Sequence, residues 1–120
     1  MGIIGDKSFQ FAISIVKVCR RISSQSREYD LSRQLLRSGT AIGALYREAE
    51  YAESKKDFIH KLAISQKECN ETLYWLDLLK ETDFLDLDTY KLLKKDGTEL
   101  MKMITSGIKT AKSNLKTTKS

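Results

Sequence analysis

The sequence contains no proline, one histidine, one tryptophan and two cysteines in 120 residues. Each scarcity excludes something. Without proline, and with abundant Leu, Lys, Glu and Ala, the chain favours long helices joined by short turns. One histidine leaves no evident nucleophile–base triad. It also rules out the dinuclear centre of helical bundles, which needs Glu-x-x-His on two helices. Asp57-Phe58-Ile59-His60 supplies a carboxylate–histidine pair once, and Asp57 has a nearer use as a helix cap. Cys19 and Cys69 have no zinc-type spacing and sit at apolar helical positions. They read as reduced core thiols in a cytoplasmic protein. No apolar run approaches the roughly 18 residues of a membrane span. "MGIIGDKSF" shows no secretory signal, and Asp6 stands where a myristoylation signal wants Ser or Thr. The expectation is no enzyme, no metal, no cofactor, no small-molecule substrate and no membrane.

What is present is 41% apolar and 31% charged residues, with a formal net charge of +5. The length suits one domain. The charge is uneven. Residues 1–90 hold 13 basic and 14 acidic side chains, whereas residues 91–120 hold eight lysines against Asp96 and Glu99.

Periodicity predicts four helices, at about 6–23, 30–53, 55–82 and 87–111, forming a domain over 1–113. A basic flexible tail is expected over 114–120. In the first helix Phe11, Ile15, Val18 and Ile22 form one stripe, with Phe9, Ala12, Val16 and Cys19 beside it. That face is wider than one neighbour covers. The second helix is expected to start with Asp30 as N-cap. Its seam is Leu31, Leu35, Ser38, Ile42, Leu45, Ala49 and Ala52, spaced alternately four and three. The third opens on Ser54 and Asp57, close to a capping box. Its seam continues through Phe58, Leu62, Ser65, Cys69, Thr72, Leu76 and Leu79. The run "LYWLDLL" at 73–79 is apolar almost all round, which predicts burial all round and hence self-association. The fourth helix is capped by Asp86 or Asp88 and carries Leu93, Leu100, Met103, Ile104 and Ile108. Gly97 and Gly107 are expected to weaken it. The fold class is all-α, an antiparallel up-down four-helix bundle that self-associates.

Gly39 and Gly43 lie inside the second helix, where each costs about 1 kcal/mol relative to alanine. A phosphate-binding loop needs a preceding strand and a following Gly-Lys-Ser/Thr, and neither exists. Close helix packing is the remaining use, with added dispersion contacts offsetting the cost. The small residues Ser65, Cys69 and Thr72 of the third helix are the expected partners of this surface.

"QLLRSGTAIGALYREAEYAESKKDFIHKLAISQKECNETLYWLDLL" closely resembles the bacterial four-helix-bundle proteins encoded within intervening sequences of 23S ribosomal RNA genes. The specific parts are Arg37-Ser38-Gly39, Arg47-Glu48-Ala49, Ser54 with Asp57-Phe58, and Glu68 through Leu79. Gly43, Glu71 and Trp75 belong to the same motif set. The resemblance implies an up-down bundle assembling as a ring-like homopentamer. It also implies kinship with retroelement accessory proteins, basic pentamers that bind a reverse transcriptase and nucleic acid. It implies no enzymatic activity. Leu45 stands where the family usually has Asn, and an apolar residue suits that seam position.

Two sets of candidate residues follow. Glu48, Glu68 and Glu71 sit at the seam edges, as a polar site between the second and third helices or as register-fixing pairs with Arg37, Arg47 or a hydroxyl. Arg20, Arg21, Lys102, Lys109, Lys112, Lys116 and Lys119 are candidates for phosphate binding, with largely sequence-independent contacts. Arg20 and Arg21 also suit a helix C-terminus electrostatically, and tail lysines also serve solubility. Trp75 and Tyr74 are expected in core or interface rather than stacked on bases. The functional expectation is a homo-oligomer binding structured RNA or a nucleoprotein. The alternatives are a protein–protein adaptor for a polymerase-like partner and a purely structural oligomer.

Overall fold

The computed structural model describes residues 2–119, and side chains as far as Lys116. Four helices follow one another: α1 Ile3–Ser26, α2 Asp30–Glu50, α3 Lys55–Glu81 and α4 Leu87–Lys119. Among the described residues each helix packs on its neighbours in the cyclic order α1–α2–α3–α4–α1, and the diagonal pairs do not pack. This is the expected antiparallel up-down bundle, drawn out into a rod of 56 × 21 × 21 Å.

The heptad seams become the core. Leu35, Ser38, Ile42 and Ala49 of α2 are buried, as are Leu62, Ser65, Cys69, Thr72, Leu76 and Leu79 of α3. From α1 come Phe11, Ile15, Val18 and Ile22, and from α4 Leu93, Leu100, Ile104 and Ile108. Leu45 is half-buried. Buried hydroxyls find partners inside the bundle, as they must in a dry interior. Ser38 Oγ donates to Gln34 O at 3.1 Å, and Ser65 Oγ crosses to donate to Ile42 O of α2 at 2.9 Å.

The turns use fewer glycines than helix ends usually do. Arg27 (φ 52°) and Asp83 (φ 66°) take the left-handed conformation. Arg27 closes α1 by donating its N–H to Ser23 O. The turn is so tight that Asp30 is already the first residue of α2 and not its cap. Glu28 Oε1 reaches over instead to accept Leu31 N–H at 2.8 Å. Ser54 caps α3 as expected, accepting Asp57 N–H at 3.1 Å, while Asp57 Oδ2 accepts Glu53 N–H at 3.3 Å. Asp86 caps α4, accepting Thr89 N–H at 3.0 Å.

Four expectations change. Gly39 and Gly43 face α1, not the small residues of α3: an added Cβ would meet Ile15 carbons at 2.9 Å or Ser8 Oγ at 3.0 Å. Gly97 is a packing position and not a weak point. A Cβ there would meet Leu73 Cδ2 at 2.8 Å, and Cys69 Sγ contacts its carbonyl oxygen at 3.4 Å. The Leu73–Leu79 run is largely covered by its own chain. Leu76 and Leu79 are fully buried, Leu73, Trp75 and Leu78 half-buried, and only Tyr74 is exposed. This run therefore does not require a second copy to cover it. Finally, α4 does not stop near Ala111. Its backbone stays helical to Lys119. Neither Gly nor Pro interrupts residues 111–119, and Ala111 and Leu115 remain half-buried. The side chain of Lys119 lies outside the described residues, as does Ser120 of the expected tail.

Candidate nucleic-acid interface

Seven lysines of α4 fall on one face. At 100° per residue, Lys91, Lys94, Lys95, Lys102, Lys109, Lys112 and Lys116 occupy an arc of about 100°. Lys95, Lys102, Lys109 and Lys116 recur every seventh residue, which places them about 10 Å apart along the helix. Lys91, Lys95, Lys102, Lys109, Lys112 and Lys116 are exposed. Among the described residues none of these six forms an ion pair. Lys94 is the exception: its Nζ lies 2.6 Å from Asp77 Oδ1, which also accepts the Tyr90 hydroxyl at 2.6 Å. That carboxylate pushes the Tyr90 hydroxyl up to about 12. The other α4 residues within this arc include Thr98 and Thr105 and no carboxylate. Asp88, Asp96 and Glu99 lie on the flank toward α1, where Glu99 accepts from Lys7 at 2.6 Å. From Lys91 to Lys116 the face runs about 38 Å.

Arg20 and Arg21 do not join it. Arg21 donates to Asp86 at 3.1 Å and to Thr89 at 3.2 Å, so it is engaged at the start of α4. Arg20 is at the Lys91 end of the rod but on its α1–α2 side, beside Arg33 and Leu36, and Lys109, Lys112 and Lys116 are about 30 Å or more away along α4. The electrostatic role expected for this pair also falls away, because α1 continues to Ser26, beyond the last-turn range of the helix dipole. The periodicity that groups the lysines was present in the sequence. The signal was the sevenfold spacing from Lys95 to Lys116, which a reading by charge density alone passes over.

The motif residues gather elsewhere, across α2 and α3. Arg37 Nη1 donates to Glu68 at 3.2 and 3.3 Å, and its Nη2 pairs with Glu71. Trp75 Nε1 donates to the same Glu71 oxygen at 3.2 Å, and its ring meets Tyr74 edge-on with centroids 5.1 Å apart. Glu48 takes Lys61 at 3.1 Å rather than Arg37, Arg47 or a hydroxyl. Arg47 is exposed near the end of α2. These are bidentate and shared pairs that fix the register of α2 against α3. Hydrogen bonding from Arg37, and then from Trp75, holds the Glu71 carboxyl below the usual range. The Glu71 contribution to stability is therefore present above the ordinary glutamate pKa of about 4.3, and is lost as pH falls through the lower folded value. Trp75, the single tryptophan, reports it: its emission should hold steady to about pH 4 and change below. In Arg37→Ala the change should begin at higher pH. An unmoved transition in that variant would show that Arg37 does not set the Glu71 titration.

Among the described residues no three His, Cys, Asp or Glu side chains gather as metal ligands. Burial pushes the Cys19 thiol up to about 12 and the Cys69 thiol to about 11, so neither is a ready nucleophile. No described helix is long and apolar enough to cross a membrane.

Fold and surface together define a four-helix bundle with a register-locked α2–α3 seam and a basic α4 face. The model of the 23S rRNA-intervening sequence protein family matches residues 3–106, and the chain belongs to that family. It is similar to a crystal structure from Bacteroides thetaiotaomicron VPI-5482, a protein of unknown function from the S23 ribosomal protein family. The two share 46% identity over 89% of this chain and 99% of the other, with a TM-score of 0.88. No curated protein matches the chain. Neither the matching family nor the structural relative carries an enzymatic description.

Proposed function

We propose that this chain is a non-catalytic, self-associating bundle that binds structured RNA, free or in a nucleoprotein, through the lysine face of α4. The observation that carries the reading is that face: six exposed lysines in line, none ion-paired among the described residues. A straight cationic row meets phosphates without reading bases, so the binding is sequence-tolerant and strongly salt-dependent. Several copies in one assembly multiply the row, and the homopentamer implied by the family resemblance does so fivefold. The family's description, a 23S rRNA-intervening sequence protein, supports structured RNA as the polyanion to test first.

The test is binding of a labelled structured RNA at several salt concentrations, with assembly mass recorded in the same buffers. Micromolar or tighter binding is expected. The logarithm of the binding constant should fall against the logarithm of salt with a slope of about −5 if six lysines engage a duplex. No binding at low salt from an intact assembly would remove RNA and leave a protein–protein adaptor as the reading to pursue.

A further inference from the structure

The outer side of α1 and α2 is a groove with a mainly apolar floor, edged at its upper end by Arg47, Glu48 and Glu50, and nothing among the described residues lies over it. Small residues on both helices, Ala12 and Gly43 among them, hollow its upper part beside Phe9. It continues downward between Val16 and Leu36. Phe9 is 50% exposed and Leu36 37%. This is the second stripe of α1, of which the bundle buries Cys19, half-buries Ala12 and Val16 and leaves Phe9 exposed. The lower rim is basic. Arg20 forms no ion pair among the described residues, and Arg33 has only Asp30 of its own helix, at 3.8 Å.

A complementary edge exists on the same chain. On its flank toward α1, α4 carries Asp88, Leu92 and Asp96 in successive turns. Leu92 is 66% exposed, and neither aspartate forms an ion pair among the described residues. An isolated exposed leucine needs no explanation, but one flanked by carboxylates fits a basic-rimmed apolar groove.

The heights also agree. Within one chain Arg21 bonds Thr89 at 3.2 Å, and Lys7 bonds Glu99 at 2.6 Å. Arg20 is therefore about level with Asp88, Val16 with Leu92, and Ala12 with Asp96. A second copy set alongside with its axis parallel and at the same height brings Leu92 into the groove between Val16 and Leu36. It also brings Asp88 to Arg20 and Arg33. The geometry points to this contact: the α1–α2 groove receives the Leu92 edge of α4 from a second copy of the chain. The inference rests on the self-association proposed above and names its surface.

The two surfaces differ and are neighbours around the bundle, sharing α1. Such a contact is heterologous, and its repetition turns each copy relative to the last, as a closed ring requires. Lys95 and Lys102 border the α1 flank beside Glu99, whereas Lys109, Lys112 and Lys116 lie beyond the Leu92 edge, past Thr105, which Gln66 of α3 bonds at 2.9 Å, so that part of the lysine face stays uncovered.

The test is the sedimentation mass of the full chain, with far-ultraviolet circular dichroism as the check on folding. The wild type should sediment as an assembly. Leu92→Asp, and separately Arg20→Glu with Arg33→Glu, should shift it to monomer with helicity unchanged. Adding Asp88→Arg to Arg20→Glu should recover much of the assembly, because the swapped charges pair again. An assembly that survives both disrupting changes would overturn this contact while leaving self-association in place. A wild-type monomer at tens of micromolar would overturn self-association itself. Failure of the charge swap, with Leu92→Asp monomeric, would overturn the pairing of Asp88 with Arg20.

Discussion

Gly39→Leu should lower the melting temperature by about 4–12 °C. A single Cβ at this position would already lie 2.9 Å from two carbons of Ile15, which is itself fully buried. Leucine adds three more carbons to the same contact. Ile15 cannot swing away, because it stands in the middle of the core stripe of α1. The helices must separate, or α2 must rotate and break its seam. Overpacking of this kind costs about 1–3 kcal/mol and occasionally more. A domain of this size loses roughly 4 °C for each kcal/mol. Helix propensity acts in the opposite direction by less than about 1 kcal/mol, so packing decides the sign. Gly107→Ala is the matched control. Its Cβ would meet Leu62 at 3.7 Å and Ile4 at 4.0 Å, ordinary contact distances. There the propensity gain is unopposed, and the melting temperature should rise by a few degrees. Differential scanning calorimetry of the two variants tests the pair. An unchanged Gly39→Leu melting temperature would show that the α1–α2 approach is not tight in solution.

Reversing the lysine face should abolish RNA binding without unfolding the chain. In Lys102→Glu, Lys109→Glu, Lys112→Glu and Lys116→Glu together, four cations become four anions on one exposed face. Counterion release falls and repulsion replaces attraction, so affinity at about 0.1 M salt should drop by more than about a hundredfold. The substituted residues are exposed and form no ion pairs among the described residues, so helicity and melting temperature should hardly move. The comparison that gives this meaning is Lys17→Glu with Arg27→Glu, a smaller change toward the other end of the rod at exposed residues outside the proposed contact between copies. It should weaken RNA binding only slightly. If charge anywhere on the molecule were sufficient, the two sets would scale with the number of charges changed. A filter-binding or anisotropy titration separates these outcomes. Unimpaired binding by the quadruple variant would rule out the α4 face.

The seams of α2 and α3 were legible because a residue's face follows from its position modulo the helical repeat. Ile42 and Cys69 are each fully buried on those grounds. The Ser54 cap was legible for a similar reason, since its bond to Asp57 N–H spans three residues. Partners further apart were not. Periodicity assigns a side chain to a face but does not say which helix meets that face. Hence Gly39 was assigned to α3 and packs on α1. Glu48 was given arginines or a hydroxyl and binds Lys61. Gly97 was read as a weakness because propensity is local, whereas Leu73 opposite it is 24 residues away in sequence. The grouping of cations shows the same division. Arg20 and Lys116 count equally toward net charge, yet α1 and α4 run in opposite directions and hold them at opposite ends. The lysine face itself was encoded in the sevenfold spacing, but its length depended on α4 continuing past Ala111. The sequence alone determined four helices, their seams and a surplus of lysine near its end. The tertiary structure decided which helices touch, because the burial of one face is satisfied equally by any neighbour until the chain's turns and close-packed contacts select one.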